Sequence, residues 1–411
     1  MKKPLLVSAA LPGKISESSH GIFRRLDMFA DALKSAAGSF DALFYVSANV
    51  DTSAENTRRI EQSLCERWDT EVKITLSGRS EIPVVASAWD RFLHPAMDFH
   101  RIPDYLEMSG KKQIQALESC LEADPPFILV QRLRCMCPLL LTRMSLPPVF
   151  FDMDDIEHVA FRRSIAMPPF WKSKWLLNLQ TPALKSGEKK AMRLAKKTFV
   201  CSASDKSILA GLVGPEKIEV IPNAVRIPQN TSLPESRSLL ILGQYGYMPN
   251  RIGVEYFIEK VWPHVLSAIS DAELVVAGPG SESIRQFHNP PPRIRFTGFV
   301  DDLDALYDSI RVVVCPVLSG GGTRVKLIEA AAHAKPIVST TIGAEGLELI
   351  DEKHALLRDA PASMAEACVK LLKDDVLSKQ LAEAARKIAQ ESYERSSVSK
   401  KIARIFSTYP S

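Results

Sequence analysis

The chain has 411 residues, of which 46% are hydrophobic and 24% charged, a composition typical of folded globular proteins and not of disordered or fibrous ones. Its length predicts two domains. The 52 basic and 48 acidic residues give a net charge of +4, which is too small to indicate a nucleic acid partner. No window approaches the ~18 consecutive apolar residues of a membrane span, so the sequence predicts a protein that is soluble or peripheral to a membrane.

The start of the chain combines two lysines with a short apolar run and resembles a signal peptide at first sight. Because that run is short and a polar stretch follows it, we expect a first β-strand there instead. Seven cysteines are scattered along the sequence, and Cys135 and Cys137 stand too close together for the usual zinc-ligand spacing. We therefore expect buried thiols in a reducing cytoplasm.

Short apolar runs alternate with helical segments along most of the chain. Strands are predicted near residues 4–10, 41–47, 72–76, 127–131, 149–152, 198–201, 218–222, 239–243, 273–277, 294–297, 312–317 and 336–340. Helices are predicted near 21–36, 54–67, 107–122, 183–197, 253–268, 302–309, 324–334 and 363–373. Apolar strands without polar alternation are typical of parallel sheets covered on both faces, so the sequence predicts an α/β protein with two doubly wound, Rossmann-like sheets.

A polar, proline-containing stretch at residues 222–238 has the composition of a linker. It predicts an N-terminal domain, residues 1–225, and a C-terminal domain, residues 226–375. Two further helices are predicted after residue 376, and we expect the segment 376–411 to pack toward the N-terminal domain. Two facing domains of this kind would form a cleft, with ligands at the carboxyl ends of the strands.

The most informative stretch is GGGTRVKLIEAAAHAKPIVSTTIG, residues 320–343, which follows a predicted strand. Its glycines leave backbone N–H groups open to an anionic oxygen, and the following helix adds the partial positive charge of its N-terminus. Arg324 and Lys326 would offset the charge of a diphosphate. Glu329 would accept hydrogen bonds from a vicinal diol such as a ribose. The alternative interpretation is a glycine-rich turn with solvated charges.

With this stretch the sequence resembles the family 4 glycosyltransferases of the GT-B fold, in a GGGTR-type subgroup. The resemblance covers residues 198–347 through VIPNAV, GYMPNRIGVEYFIEKVWP, AELVVAGPG and IRFTGFVDDLDALY. It is looser in the N-terminal half, where LLVSAALPGKISESSHGIFRRL and FFDMDDIEHV carry it. The resemblance implies two facing Rossmann-like domains and transfer of a sugar from a nucleotide diphosphate donor, with retention and without a metal or other cofactor.

The resemblance also implies roles for individual residues. Glu329 corresponds to the second acid of the family's paired-glutamate motif, which holds the donor ribose, whereas Gly321 stands in place of the first acid. The catalytic set would be Arg324, Lys326 and Glu329. Further donor contacts are expected from Gly320, Gly321, Gly322, Thr323, Gly246, Asn250 and Arg251. Acceptor-side candidates in the N-terminal half are Gly13, His20, Gly21, Asp154, Asp155 and His158.

Residues 162–197 contain ten lysines and arginines but only one acid, Glu188, with Trp171 and Trp175 interleaved. This composition suits an anionic membrane surface, which would place a cytoplasmic enzyme on the inner face of the membrane. The acceptor would then be a lipid-linked molecule or a glycan in polysaccharide or cell-envelope biosynthesis. A solvated basic face with its tryptophans in the core is the alternative.

Three other functions are alternatives to glycosyl transfer. The sugar-nucleotide 2-epimerases share the double fold and bind the same class of donor, and a non-catalytic sugar-nucleotide-binding homologue would explain the replacement of an acid by Gly321. Both stay open. A dinucleotide-dependent dehydrogenase is disfavoured, because no G-x-G-x-x-G pattern follows the first predicted strand.

Overall fold

A computed structural model describes residues 2–12, 21–82 and 87–408. These residues form two compact units. The first unit contains residues 2–12, 22–82, 87–222 and 398–408, and the second contains Gly21 and residues 223–397. Within the C-terminal segment 376–411, residues up to 397 therefore belong to the second unit, and those from 398 to 408 belong to the first.

The first unit contains a seven-stranded sheet in which all strands are parallel, in the order β3-β2-β1-β4-β5-β6-β7. Its strands are β1 (Leu5–Ser8), β2 (Phe40–Val46), β3 (Val72–Gly78), β4 (Ile128–Gln131), β5 (Val149–Asp154), β6 (Lys197–Val200) and β7 (Ile218–Val220). Its helices are α1 (Gly21–Ala37), α2 (Ala54–Trp68), α3 (His94–Met97), α4 (Pro103–Leu106), α5 (Lys111–Leu121), α6 (Leu133–Leu141), α7 (Glu157–Ile165), α8 (Thr181–Leu194) and α9 (Ala203–Leu209).

The second unit contains a six-stranded parallel sheet in the order β10-β9-β8-β11-β12-β13. Its strands are β8 (Ser238–Leu242), β9 (Glu273–Ala277), β10 (Ile294–Gly298), β11 (Val312–Cys315), β12 (Ile337–Ser339) and β13 (Leu356–Leu357). The helices that follow β8 are α10 (Met248–Tyr256), α11 (Trp262–Ala268), α12 (Leu303–Ser309), α13 (Val325–Ala332), α14 (Pro361–Lys373) and α15 (Asp375–Ser392), and the last helix of the chain is α16 (Arg395–Ser407).

The central strands of both sheets are buried on both faces because they are largely apolar, whereas the edge strand β10 has no fully buried residue. Along β1, Leu5 and Val7 contribute to a core on one face, whereas Leu6 is buried on the other. The strands of the second sheet alternate in the same way between two cores, one containing Leu239 and the other Leu240. The helices of both units therefore cover a sheet from two sides, as the sequence predicted.

All twelve predicted strands are present, and β13 is the addition. The predicted helix 253–268 is divided by a π turn, Phe257–Val261, between α10 and α11. Pro263 lacks the amide that would bond to the carbonyl four residues earlier, which accounts for the break. None of the seven cysteines, all within the described ranges, forms a disulfide. No helix in those ranges has the length and hydropathy needed to cross a membrane.

Candidate functional site

The second sheet has a topological switch point between β8 and β11, from which the chain winds outward in both directions. Open parallel sheets bind ligands at such a point, beyond the carboxyl ends of the strands. Gly243 follows β8 there, and the glycine loop, residues 319–322, follows β11. The stretch that carries the sequence-based prediction thus lies where the topology favours a ligand.

Two residues of the glycine loop have backbone angles that favour glycine. Gly320 has a φ of 119° and Gly322 a φ of 66°. A Cβ atom on Gly320 would also lie 3.0 Å from the hydroxyl of Tyr247 and 3.2 Å from Nη2 of Arg324. The loop therefore needs glycine both for its conformation and for the close approach of these two side chains.

Arg324 precedes α13, and its buried guanidinium folds back onto the glycine loop. Its Nη1 donates hydrogen bonds to the carbonyl oxygens of Gly321 and Gly322. Its Nη2 is buried and makes no hydrogen bond within the described part of the chain. An unsatisfied buried donor costs about 1–3 kcal/mol, more when it is charged, so this nitrogen is a favourable position for an anionic oxygen.

Lys326, in the first turn of α13, brings a second cation to the same edge of the sheet. Its Nζ donates to Oδ1 of Asn250 at 2.8 Å, and Asn250 in turn donates to the carbonyl of Gln244 at 2.9 Å. A Cβ on Gly243 would lie 3.2 Å from the same Nζ. Burial lowers the pKa of Lys326 from its ordinary value. The predicted residues Asn250 and Lys326, 76 positions apart, therefore meet beside the end of β8.

Glu329 lies in the middle of α13 and is buried, with 7% of its surface exposed. It stands three residues after Lys326, a spacing that places both on one side of the helix. Its backbone carbonyl lies 2.9 Å from Nδ1 of His333, whose Nε2 lies 2.8 Å from Asp304. The burial of Glu329 disagrees with the alternative of a solvated helix residue.

The remaining predicted donor residues differ in their surroundings. Thr323 accepts a hydrogen bond from Asn223 at 2.9 Å, and the amide of Gly246 lies 3.0 Å from the position of a Cβ on Gly280. Arg251 donates to Sδ of Met248 at 2.9 Å, a contact within the first turns of α10. The structure thus brings Gly246 and Thr323 into the loops at the sheet edge but gives Arg251 a partner on its own helix.

Sequence reasoning missed two residues of this edge. Asn223, which anchors Thr323, lies in the quoted stretch VIPNAV, but its partner is 100 residues away. Gly278 has a φ of 126°, and a Cβ there would lie 1.8 Å from the carbonyl oxygen of Gly243. The stretch Gly278-Pro-Gly280 was a signal for such a close approach between the ends of β8 and β9.

Among the acceptor-side candidates, Asp154, Asp155 and His158 lie at or just after the carboxyl end of β5 in the first sheet, whereas Gly13 and His20 lie outside the described residues. Gly21 is the first residue of α1. Asp154 and Asp155 both accept hydrogen bonds from Nη2 of Arg132, at 2.6 and 3.2 Å. Burial alone would raise the pKa of Asp154, but ion pairs with Arg132 and Arg25 bring it below its ordinary value.

A buried ion pair joins α1 to β5 beside these acids. Nη2 of Arg25 donates to Asp152 at 2.6 Å, and neither side chain has any exposed surface. Asp154 and Arg132 adopt φ angles of 58° and 68°, which are uncommon for residues other than glycine. Strained residues of this kind cluster at functional sites, and two of them lie here at the ends of adjacent strands.

His158, in the first turn of α7, is held by a buried carboxylate. Its Nδ1 lies 2.5 Å from Oε2 of Glu188, and its backbone N–H donates to Oε1 of the same carboxylate at 3.0 Å. The side chain of Glu188 has no exposed surface. Burial raises the pKa of the neighbouring Glu157 to about 7. Within the described ranges, no group of three or more His, Cys, Asp or Glu side chains is placed to hold a metal ion.

Comparison with solved structures establishes the fold class. Sucrose-phosphate synthase from Thermosynechococcus elongatus is 14% identical and superimposes with a TM-score of 0.70, covering 99% of this chain and 98% of its own. HepE from Anabaena, in complex with UDP and glucose, is 13% identical and gives a TM-score of 0.65, covering 99% of this chain and 100% of its own. The chain has the GT-B fold.

A sequence model of the glycosyl transferases group 1 matches residues 236–374, most of the second unit. An uncharacterized 44.6 kDa protein in the cps region of Klebsiella pneumoniae is 24% identical over 161 residues. That alignment spans 37% of this chain and 42% of the relative, less than half of its length. The second unit is thus similar in sequence to the glycosyl transferases group 1.

Proposed function

We propose that the protein is a retaining glycosyltransferase, which transfers a sugar from a nucleoside diphosphate sugar to a glycan or a lipid-linked acceptor. The observation that carries the proposal is the buried, unsatisfied Nη2 of Arg324 beside the glycine loop, at the switch point of the second sheet. HepE, which has the same fold, is in complex with UDP and glucose, so a UDP-sugar is the first donor to test.

In this proposal the second unit, within residues 226–375, binds the donor. Arg324 and Lys326 neutralise the diphosphate, Glu329 accepts hydrogen bonds from the ribose hydroxyls, and amides of the glycine loop contact the sugar or phosphate. The family resemblance implies that Gly321 replaces the first acid of the paired-glutamate motif, so the backbone amides of Gly321 and Gly322 would take over a contact to the sugar.

The reaction would be a front-side substitution. The acceptor hydroxyl oxygen bonds to the anomeric carbon on the face of the leaving group, the bond from that carbon to the phosphate oxygen breaks, and the hydroxyl proton passes to that phosphate oxygen. Such a reaction needs positioning and stabilisation of the charge that grows on the diphosphate, more than it needs a general base. Two cations and a glycine loop supply these, and no metal or other cofactor enters this mechanism.

The first unit, within residues 1–225, would bind the acceptor at the carboxyl edge of its sheet. Asp155 and His158 are the candidates for contacts there, because each has some exposed surface beside a fixed partner. A relative from a cps region supports a role in polysaccharide or cell-envelope biosynthesis. We propose that the basic segment 162–197 brings a cytoplasmic enzyme to the anionic inner face of the membrane, where a lipid-linked acceptor would reside.

The test begins with thermal shift measurements on the wild-type protein using a panel of UDP-, GDP- and ADP-sugars. The best donor is then incubated with a cell-envelope glycolipid fraction, with and without excess EDTA, and the anomeric configuration of any product is read by NMR. We expect transfer with retention that survives EDTA. A sugar epimer still attached to its nucleotide would indicate the 2-epimerase, and binding without turnover a non-catalytic homologue. If no donor shifts the melting temperature, the proposal that the second unit binds a nucleoside diphosphate sugar is wrong.

A further inference from the structure

Exposed apolar side chains of the first unit are concentrated on two segments. The first segment is residues 87–101, and the second is residues 164–180. Of sixteen large hydrophobic side chains that are exposed in the described chain, seven lie on these segments, and we call them the apolar surface: Trp89, Leu93, Met97, Phe170, Trp171, Trp175 and Leu179. Exposed apolar groups at this density mark an interaction site more often than chance.

The first segment is apolar on two opposite sides. Trp89, Leu93 and Met97 stand four residues apart along the helical stretch formed by a π turn and α3, so they share one side, and Met97 is 76% exposed. Phe92 and Phe99 point inward instead. The ring of Phe99 lies against Gly187 of α8, where a Cβ would come within 2.6 Å of it. The inner side therefore anchors the segment, and packing within the described unit does not explain the outer side.

The second segment holds its aromatic rings outward around a buried lysine. Nζ of Lys174 donates to the carbonyl of Ser164 at 3.0 Å and to that of Met167, so this ammonium group fastens the loop from within. The same Nζ lies 5.5 Å from the ring centre of Phe170, which is 70% exposed. Trp175 is 66% exposed. The alternative that the tryptophans of this segment lie in the core is wrong.

The two segments are joined, so they present one surface. Nε2 of Gln180 donates to the carbonyl of Arg91 at 2.8 Å, and the π turn packs against residues 174–180. Exposed basic residues border the apolar side chains, among them Arg91, Arg162 and Lys172. The acids of the first segment, Asp90 and Asp98, accept local hydrogen bonds from Ser87 and from the amide of His100, and Glu188 is buried.

We infer that the apolar surface inserts into the interface of an anionic membrane, and that the first segment is an inserting element alongside the basic second one. Tryptophans and apolar side chains bordered by exposed lysines and arginines are the combination that binds at the headgroup level. A lipid surface fits this charge and composition better than a protein partner does. The inference rests on the membrane contact in the proposed function and adds to it the residues that enter the lipid.

The positions of the five tryptophans supply a direct assay. Trp89, Trp171 and Trp175 are exposed, whereas Trp68 and Trp262 are buried, so a change in fluorescence on lipid binding reports the apolar surface. The wild-type protein is titrated with vesicles of phosphatidylcholine mixed with phosphatidylglycerol, and with vesicles of phosphatidylcholine alone. We expect a blue shift and quenching by brominated acyl chains with the anionic vesicles, weakened by salt.

Variants then separate the two segments. Leu93→Glu and Met97→Glu should each weaken vesicle binding at least about tenfold, as should Trp175→Glu, because each places a charge where an apolar side chain would be buried. Val376→Glu is the matched control, since Val376 is 79% exposed on the second unit, and it should bind vesicles like the wild type. Circular dichroism and donor thermal shift verify that each variant is folded.

Three outcomes would overturn the inference. If the first-segment variants bind vesicles normally while Trp175→Glu does not, the first segment does not insert, although the membrane contact stands. If the wild-type protein does not bind anionic vesicles, both membrane claims are wrong, and the donor thermal shift still tests the transferase proposal separately. If the wild type dimerises in sedimentation velocity and Met97→Glu is monomeric, the surface joins two copies of this chain.

Discussion

The two sheets share one winding scheme, but the polar groups at their carboxyl edges are balanced differently. At the first edge, Arg25 meets Asp152, and Arg132 meets Asp154 and Asp155, so the cations there have carboxylate partners. At the second edge, the hydrogen bonds described for Arg324 and Lys326 go to carbonyl and amide oxygens, which carry no net charge. The cations of the first edge are thus bonded to carboxylates, whereas the bonds described for those of the second edge go to neutral oxygens.

This difference shows why the fold alone does not tell which unit binds a phosphate. A buried ion pair stabilises only when both partners are present, so the first edge is a structural arrangement as well as a candidate site. A buried cation bonded to neutral oxygens retains more of its attraction for an anion than a cation paired with a carboxylate does. The comparison therefore predicts losses of stability from changes at the first edge and losses of donor binding or turnover from changes at the second.

The largest effect should come from breaking the buried pair of the first edge. Arg25→Met leaves the Asp152 carboxylate buried without its cation, and we expect the free energy of unfolding of the first unit to fall by about 3–5 kcal/mol. The measurement is a urea titration followed by hydrogen exchange in the two units. Arg285→Met, which removes an exposed pair with Glu255, is the control and should cost under ~1 kcal/mol. Equal losses in the two variants would contradict the comparison.

At the second edge, Arg324→Ala should reduce kcat about 10²–10³-fold, because charge on the leaving diphosphate increases toward the transition state. Donor Kd should change much less than kcat. Steady-state kinetics and calorimetric donor titration measure the two quantities. Arg237→Ala, at an exposed arginine paired with Asp271, is a control that should retain wild-type kcat. If the variant binds the donor more weakly but keeps the wild-type kcat, Arg324 contributes to donor binding and not to stabilisation of the transition state.

A smaller loss is expected for the ribose contact. Glu329→Gln removes charge-assisted hydrogen bonds worth roughly 1.5–3 kcal/mol each, so donor affinity should fall at least about tenfold. Free nucleoside diphosphate should lose as much affinity as the donor sugar, because both contain the ribose. Glu383→Gln, on the exposed side of α15, is the matched control. Wild-type donor affinity in Glu329→Gln would refute its role at the donor ribose.

The smallest effect concerns pH at the first edge. Because burial raises the pKa of Glu157 to about 7 from an ordinary value of 4.5, the folded protein holds a proton there that the unfolded chain releases between these two pH values. The contribution of Glu157 to stability is thus present below pH ~4.5 and lost as the pH rises through ~7. Glu157→Gln should therefore be more stable relative to the wild type at pH 8 than at pH 5. Unfolding free energies that differ equally at both pH values would contradict this.

The sequence predicted the sheets well because buried parallel strands are short, uninterrupted apolar runs. β13 has two residues, too few for any pattern, and Pro263 breaks a helix whose apolar spacing continues on both sides of the break. At the candidate site, the glycine loop and its cations were predictable because they are consecutive. The contact of Asn250 with Lys326 depends on how two distant loops meet, which local patterns do not encode.

The ion-pair partners of charged residues and the exposure of aromatic side chains were harder to predict than the positions of these residues along strands and helices. Asp154 and Asp155 were recognised as polar groups at a strand end. Their partner Arg132 lies at the end of another strand, so local patterns did not indicate that their charges are compensated. Trp175 shows the same limit for exposure. A tryptophan among lysines is compatible with either a core or a surface position, and only the structure, in which Trp175 is 66% exposed, shows which one applies.

The last helix, α16, has a consequence for how the protein is made. The ring of Phe406 lies 5.0 Å from those of Phe127 and Phe150, inside the first unit, although all of residues 223–397 precede it in the chain. On a ribosome, residues 223–397 are therefore synthesised before the first unit receives Phe406, roughly 10–40 s after β7 has been synthesised. A nascent chain stopped at residue 397 would carry a finished second unit and a first unit with Phe127 and Phe150 uncovered, a substrate for chaperones.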